Sequence, residues 1–262
     1  MRRAAFIVLA ACGTNQTPQP DPVPTLPSCV PNRNGKITAD ELPIAIGASV
    51  EYYVGTSRTI TQAGTSWDFS AELADDDILE LGPAPLSGQW YASSFTSGEF
   101  VVDAGSGLDG IYHQDAQALW LDGIASHLET PPAGKTLIVY ATPLPTLRFP
   151  VVEGQFFTTT TTLAGATING LPFQGTDELT VDVVSSGKLS VPYVSFSPVL
   201  RVRTQAVRKP SSAGVPSTSR RTTIFLFECF GEITRAESKP DETNPDFTGA
   251  AYLRRFALGQ QE

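Results

Sequence analysis

The chain has 262 residues, 27 acidic against 18 basic side chains, and a formal net charge of −9. An acidic balance argues against DNA or RNA binding, which needs Lys and Arg for phosphate contacts. Hydrophobic residues make up 41% and charged residues 17%, the composition of a folded chain and not of a disordered one.

Arg2 and Arg3 open the chain, Ala4 to Ala11 form a short apolar run, and Leu9-Ala10-Ala11-Cys12 follows. A charged start, an apolar stretch and small residues before a cut site are the parts of an export signal. With the cysteine in place, the run resembles the lipobox of bacterial lipoproteins, cut by signal peptidase II. The resemblance implies a signal peptide over residues 1–11. It also implies a diacylglycerol on the Cys12 sulfur and a fatty acyl chain such as palmitate on its new amino group. The competing reading is a chance cysteine near a frayed N-terminus, since eleven residues are short for a signal. The run is too short to span a bilayer, which takes ~20 apolar residues. Without Arg2 and Arg3 the chain carries 16 basic and 27 acidic groups, a net charge of −11.

Residues 12–31 read as a Pro-rich linker, with Pro18, Pro20, Pro22, Pro24 and Pro27 among Thr, Gln and Asn. In polyproline II, at ~3.1 Å per residue, Gly13 to Ser28 would span roughly 50 Å as a semi-rigid stalk. Gly13 stands where an inner-membrane lipoprotein tends to carry Asp, which resembles the outer-membrane class. With Cys12 lipidated, Cys29 and Cys229 are left as a pair in an oxidising compartment. The alternative is two buried thiols that never meet.

Asn32, Asn34, Gly35 and Glu41 resemble a degraded calcium loop, with Gly35 at the turn and Glu41 at the bidentate position. Val30 stands where the pattern wants Asp. The structural alternative is an Asn-Gly turn followed by a capping box, Thr38-x-x-Glu41, opening a short helix over Thr38 to Ala45. Calcium is the one cofactor this chain suggests. Asp75-Asp76-Asp77 with Glu80 is a second acidic group, read as a solvated turn with a few helical turns toward Leu81.

Beyond Ala48 the sequence reads β, with short Thr-, Val-, Phe- and Tyr-rich runs punctuated by Gly and Pro. Expected strands are Glu99 to Asp103, Ala118 to Leu121, Lys135 to Tyr140, Phe156 to Leu163, Glu178 to Ser185, Val199 to Val207, Thr222 to Cys229 and Glu232 to Glu237. Leu200 and Val202 alternate with Arg201 and Arg203, the two-residue period of a strand. Arg208 to Arg221 reads as a long hairpin loop. The fold expected over residues 32–262 is mainly β: an antiparallel sandwich or curved open barrel with very little helix. Pro143 to Pro150 is the best internal boundary.

No catalytic set emerges. There is no Gly-x-Ser-x-Gly elbow and no phosphate-cradling glycine loop. His113 and His127 are the two imidazoles, and neither belongs to a zinc-spacing motif. The basic residues cluster instead: Arg201, Arg203, Arg208, Lys209, Arg220 and Arg221 flank the expected hairpin, facing either an anionic surface or carboxylates across the strands.

Short motifs spread along the chain carry one further resemblance. They are Cys29-x-Pro31-Asn32, Gly35-x-Ile37, Glu41-Leu42-Pro43, Tyr140-x-x-Pro143, Leu147-Arg148-Phe149-Pro150 with Gly154, Leu200 to Arg203 and Glu228-Cys229-Phe230-Gly231. Together they resemble uncharacterised β-rich lipoproteins of myxobacteria and relatives, a likeness that implies location and β class and no chemistry. The expectation is a non-enzymatic module of the bacterial envelope, held to the outer membrane by its N-terminal lipid. It would bind a protein, glycan or apolar ligand, or support envelope assembly. The alternative is an envelope hydrolase with an unrecognised site.

Overall fold

A computed structural model describes residues 28–257. The expected signal peptide, Cys12 and most of the Pro-rich linker lie outside the described residues.

The described residues form sixteen strands and two single-turn 3-10 segments. The first strands are β1 (Lys36–Ile37), β2 (Val50–Thr59), β3 (Ser66–Asp68), β4 (Asp77–Leu81) and β5 (Ala84–Pro85). A long run follows: β6 (Phe100–Gly105), β7 (Leu108–Gln114), β8 (Ala118–Ser126), β9 (Leu137–Arg148), β10 (Val151–Val152) and β11 (Phe156–Ile168). The last are β12 (Leu171–Val191), β13 (Val194–Pro210), β14 (Thr218–Phe227), β15 (Gly231–Glu237) and β16 (Gly249–Phe256). Each of the eight strands expected from sequence overlaps one of these elements, although Glu99, Lys135, Thr136, Glu228 and Cys229 lie outside them.

Fourteen strands make one sheet in the order β4-β2-β16-β15-β14-β13-β12-β11-β9-β8-β7-β6-β5, with β3 joined in parallel to β12 and every other pairing antiparallel. From β5 to β16 it is an up-and-down meander. Only β10 leaves the path, to pair with β1. β2 then adds beside β16, and β4 beside β2.

The two edges of this sheet, β4 and β5, are neighbours in the chain, separated by Gly82 and Pro83. Three residue steps reach about 10 Å at most. The sheet must therefore bend through nearly a full turn to bring its first and last strands together. No ladder joins β4 to β5, so the sheet is not closed and folds back on itself as the sandwich or open barrel expected from sequence. Gly82 sits at the seam, where an added Cβ would fall 1.9 Å from the Ala48 carbonyl oxygen.

Curling gives the sheet an inner and an outer face, and the two-residue period assigns side chains to them. On β11, Phe157, Thr161 and Leu163 point inward and are buried while Thr158, Thr160 and Thr162 are exposed, which resolves the threonine run. One inner core joins Phe157, Val181, Val183, Leu200, Val202, Ile224 and Leu226 to Ile37 and Leu42 from the N-terminal segment. A second inner core holds Ile138, Tyr140, Leu144 and Leu163. Two straps cover the outer face. One carries Trp67 and Phe69 and packs with Phe247 against Phe225, Phe227 and Ile233. The other carries Leu86, Tyr91 and Phe95 over Val101, Ile111 and Ala125.

The N-terminal segment floors one end of the barrel. Ile37 and Leu42 enter the inner core, each such burial contributing about 1.5–3 kcal/mol. Gln114 Nε2 donates to the carbonyls of Ala39 and Leu42 at 3.3 and 3.2 Å. Cys229 N–H donates to the Glu41 carbonyl at 2.8 Å. Arg33 N–H donates to the buried Glu228 carboxylate at 2.6 Å. Cys29 and Cys229 form a disulfide across 200 residues, with Cα atoms 5.5 Å apart. Cys229 stands in the β14–β15 turn, so the bridge ties the chain entry to the middle of the sheet.

Three expectations are corrected. The helix over Thr38 to Ala45 is only the 3-10 turn Ala39–Glu41, because Pro43 follows and Leu42 turns into the core. The helical turns toward Leu81 are strand β4, since Ile78 and Leu79 pair with Tyr53 and Tyr52. The hairpin loop is shorter than Arg208 to Arg221, because β13 continues to Pro210 and β14 begins at Thr218 with cross-strand partners for the basic residues. Pro143 to Pro150 runs through β9 and the turn into β10.

Replacing both cysteines of the bridge, Cys29→Ser with Cys229→Ser, is expected to lower unfolding free energy by ~2–5 kcal/mol in urea titrations. An unchanged midpoint would show that the staple does not hold the floor.

Candidate functional site

The calcium-loop residues are brought together, and their oxygens accept from the chain itself. Asn32 Oδ1 accepts the Asn34 N–H at 2.9 Å and Asn34 Oδ1 accepts the Lys36 N–H at 2.8 Å. Glu41 Oε2 accepts the Thr38 N–H and hydroxyl, each at 3.0 Å, and Oε1 accepts the Asn32 side-chain amide. This is a run of Asx turns closed by the carboxylate arm of the capping box. A cation there would compete with backbone donors for each ligand. Among the described residues no three His, Cys, Asp or Glu side chains gather as a metal-holding group. Asp75 and Asp76 are neutralised by Arg58, and Asp76 also by Arg255.

Both histidines meet buried aspartates under the second strap. His113 Nδ1 lies 2.7 Å from Asp122 Oδ2, and Ser97 Oγ donates to Asp122 Oδ1 at 2.7 Å. His127 Nδ1 lies 3.1 Å from Asp109 Oδ1, and Tyr91 Oη donates to Asp109 Oδ2 at 2.6 Å. Burial, then the Asp109 hydrogen bond, pushes the Tyr91 phenol far above its ordinary value, so it stays a donor. In both sets the carboxylate stands between imidazole and hydroxyl. A nucleophilic triad needs the imidazole in the middle, where it can take the hydroxyl proton. The wiring observed ties Tyr91 and Ser97 of the strap to the sheet.

The basic residues around β13 and β14 are paired across strands. Arg203 bonds Asp182 and Asp246, and Arg208 holds Asp177 with two bonds of 2.7–2.8 Å. Lys209 meets Glu178, Arg220 meets Glu237, and Arg221 donates to the Glu242 carbonyl. Arg201 is buried and donates to the Gln62 carbonyl and to Asp246.

The structure also assembles a group that sequence reading passed over. Glu232 accepts from Arg235 at 2.6–3.1 Å and from Arg254 at 2.7 Å, and the Tyr52 hydroxyl donates to the Glu232 carbonyl at 3.0 Å. These residues lie on the inner face of β15, β16 and β2. Opposite them, on the inner face of β7, stands Tyr112. Burial raises its pKa, and Arg235, Glu232 and Arg254 all act on it electrostatically. β7 and β15 are seven places apart in the sheet, so they face each other only because the sheet folds back on itself. Burial pushes the Glu232 carboxyl up, but Arg235 and Arg254 outweigh it and hold the carboxyl at about 2. Burial and the Glu232 charge push Tyr52 up to about 12. One signal was legible: Glu232 and Arg235 carry opposite charges three residues apart on one strand, and the bulge at Ile233 turns both to the same face.

No family model, curated protein or solved structure matches the chain.

Glu232 ionises more readily folded than unfolded, so its contribution is present above the unfolded carboxylate range, near 4.5, and is lost as pH falls toward 2. The loss amounts to roughly 3 kcal/mol. Urea midpoints from pH 6 to pH 2.5 should fall in the wild type, and the Glu232→Gln variant should lose that part of the slope. Parallel curves for the two proteins would place the acid sensitivity elsewhere.

Proposed function

We propose that this chain is a lipid-anchored, non-enzymatic module of the bacterial cell envelope, held to the outer membrane through Cys12. The Cys29–Cys229 bridge is the observation that carries the reading. A disulfide between residues 200 apart needs an oxidising compartment, and it leaves Cys12 as the one cysteine without a partner in sequence terms. That cysteine follows Leu9-Ala10-Ala11, as lipidation requires. The bridge stands where the Pro-rich tether enters the domain. Tension on the anchor would reach the β14–β15 turn through a covalent bond and would not peel Ile37 and Leu42 from the inner core. The short motifs that resemble those of myxobacterial-type lipoproteins fit the same placement.

Metabolic labelling with a radiolabelled or clickable palmitate is expected to mark the wild type in the envelope fraction and to leave Cys12→Ser unlabelled and soluble in the periplasm. Equal labelling of both proteins, or a cytosolic wild type with free Cys29 and Cys229 thiols, would overturn the anchor.

The convergence of His113, Asp122 and Ser97 is the specific observation favouring an envelope hydrolase instead. The hydrogen-bond order weighs against it. His113→Ala and His127→Ala are expected to leave turnover of ester, amide and glycoside reporter substrates at the background rate of the wild type. A wild-type activity that falls more than about 100-fold in either variant, with the fold intact, is the loss expected for a general base and would establish the enzyme.

A further inference from the structure

One end of the sheet gathers the chain entry and several strand ends. There β14 ends at Phe227 and β15 begins at Gly231, β12 ends at Val191 and β13 begins at Val194, and β16 ends at Phe256 opposite Tyr52 of β2. The Cys29–Cys229 bridge brings the N-terminal segment to the same end. Large apolar side chains face solvent there: Val30 is 80% exposed, Tyr193 59% and Phe230 50%. Val30 and Phe230 each follow a bridged cysteine, so the disulfide holds both on one tip. The Phe230 ring lies against Phe196, Phe227 and Phe256, with centroids 5.6, 5.8 and 6.2 Å away. Phe196 and Phe227 belong to the outer core and Phe256 packs on it, so Phe230 caps that core from outside.

Tyr193 stands in the two-residue turn between β12 and β13 with φ at +66°, a left-handed conformation that bulky side chains rarely adopt. Val194 beside it packs on the same core as Phe196. Ser70, Ser190 and Ser195 line a shallow cleft with Tyr193 and Val194. This end therefore joins apolar and aromatic surface to hydroxyls, a pairing that suits the boundary between acyl chains and headgroups.

The tether says what covers it. The residues between Cys12 and Cys29 reach ~60 Å at most. They enter at this tip, so a lipid on Cys12 keeps the tip within that distance of a bilayer. β12 runs from Leu171 to Val191, and its far end stands roughly 60 Å away along the strand. Leu171 is also exposed, at 70%, but it would reach the same bilayer only with the linker drawn out along the whole molecule.

We propose that Val30, Tyr193 and Phe230 form a membrane-contacting tip, seated at the acyl–headgroup boundary of the leaflet that holds the Cys12 lipid, and that this contact fixes the orientation of the domain. The proposal rests on the anchor reading, since the tether is what selects a bilayer as the occupant.

Chemical attachment to vesicles tests the tip without relying on lipidation in the cell. Residues 12–262 are exported behind a signal lacking a lipobox, so that the disulfide forms and the Cys12 thiol stays free. That thiol is coupled to maleimide lipid in phosphatidylcholine vesicles. Tryptophan emission is compared with and without brominated acyl chains, after subtraction of the coupled wild type. Phe230→Trp is expected to lose most of its added emission, and Leu171→Trp none. Tyr193→Trp should repeat the Phe230→Trp result, and it carries the test if Phe230→Trp does not fold. Equal quenching at Leu171 would sink the proposal. So would no quenching at either tip position, which would make the linker a spacer. Sedimentation of uncoupled Cys12→Ser protein checks a rival occupant. A dimer that Phe230→Ser disperses would assign the tip to a second copy, whereas a monomer supports the bilayer. Absent palmitate labelling with quenching intact would remove the anchor and leave the tip's contact with lipid standing; labelling without quenching would do the reverse.

Discussion

Two residues, Gly82 and Pro83, join strands that lie at opposite edges of a thirteen-strand path. A chain that short cannot cross an open sheet, so the sheet has to curl until β4 and β5 are neighbours. From that constraint follow an inside and an outside, and a seam that carries no ladder. The right-handed twist of paired strands favours coiling, but twist alone does not say where a sheet stops. Here the covalent connection does. The close approach of Gly82 to the Ala48 carbonyl shows how little room the seam leaves for a side chain.

The two ends of the barrel are finished differently. The N-terminal segment gives Ile37 and Leu42 to the inner core, and its polar groups are satisfied by Gln114, Glu228 and the Cys229 N–H. Little regular structure is needed, because these side-chain and backbone contacts replace a ladder. The disulfide removes the remaining freedom of a segment that carries only the two-residue strand β1. Farther along β13 and β14 from that segment, the inner face carries Thr204 and Thr222, partly exposed, and Arg220, exposed.

Charge is managed by pairing across strands. Arg203 with Asp182, Arg208 with Asp177 and Lys209 with Glu178 bind neighbouring strands, while Arg58 and Arg255 neutralise Asp75 and Asp76 at the edge. Isolated exposed pairs contribute little. The buried ones are different, because Asp177, Glu232 and Arg255 would each carry a large desolvation penalty without a partner. This explains why the basic stretch read from sequence does not survive as a basic patch: its partners come from strands distant in the chain.

The β class and the main strands were legible because a strand needs only local alternation, and Leu200-Arg201-Val202-Arg203 displays it without any partner. The Cys29–Cys229 pair was legible from parity, a property of composition. The capping role of Glu41 was legible because its partners lie within nine residues. Strand Asp77–Leu81 was not, since its acidic start reads as a turn until β2 supplies Tyr52 and Tyr53 opposite. Nor was the placing of Tyr112 within electrostatic reach of Glu232, Arg235 and Arg254, residues at least 120 positions away that face it only because the sheet folds back on itself. Sequence alone determined which segments extend and which faces are apolar, since those are near-neighbour properties of the chain. Tertiary structure decided which face became the inside and which charges found partners. Those outcomes depend on curvature, and curvature is set by a connection that acquires meaning only once all the strands are in place.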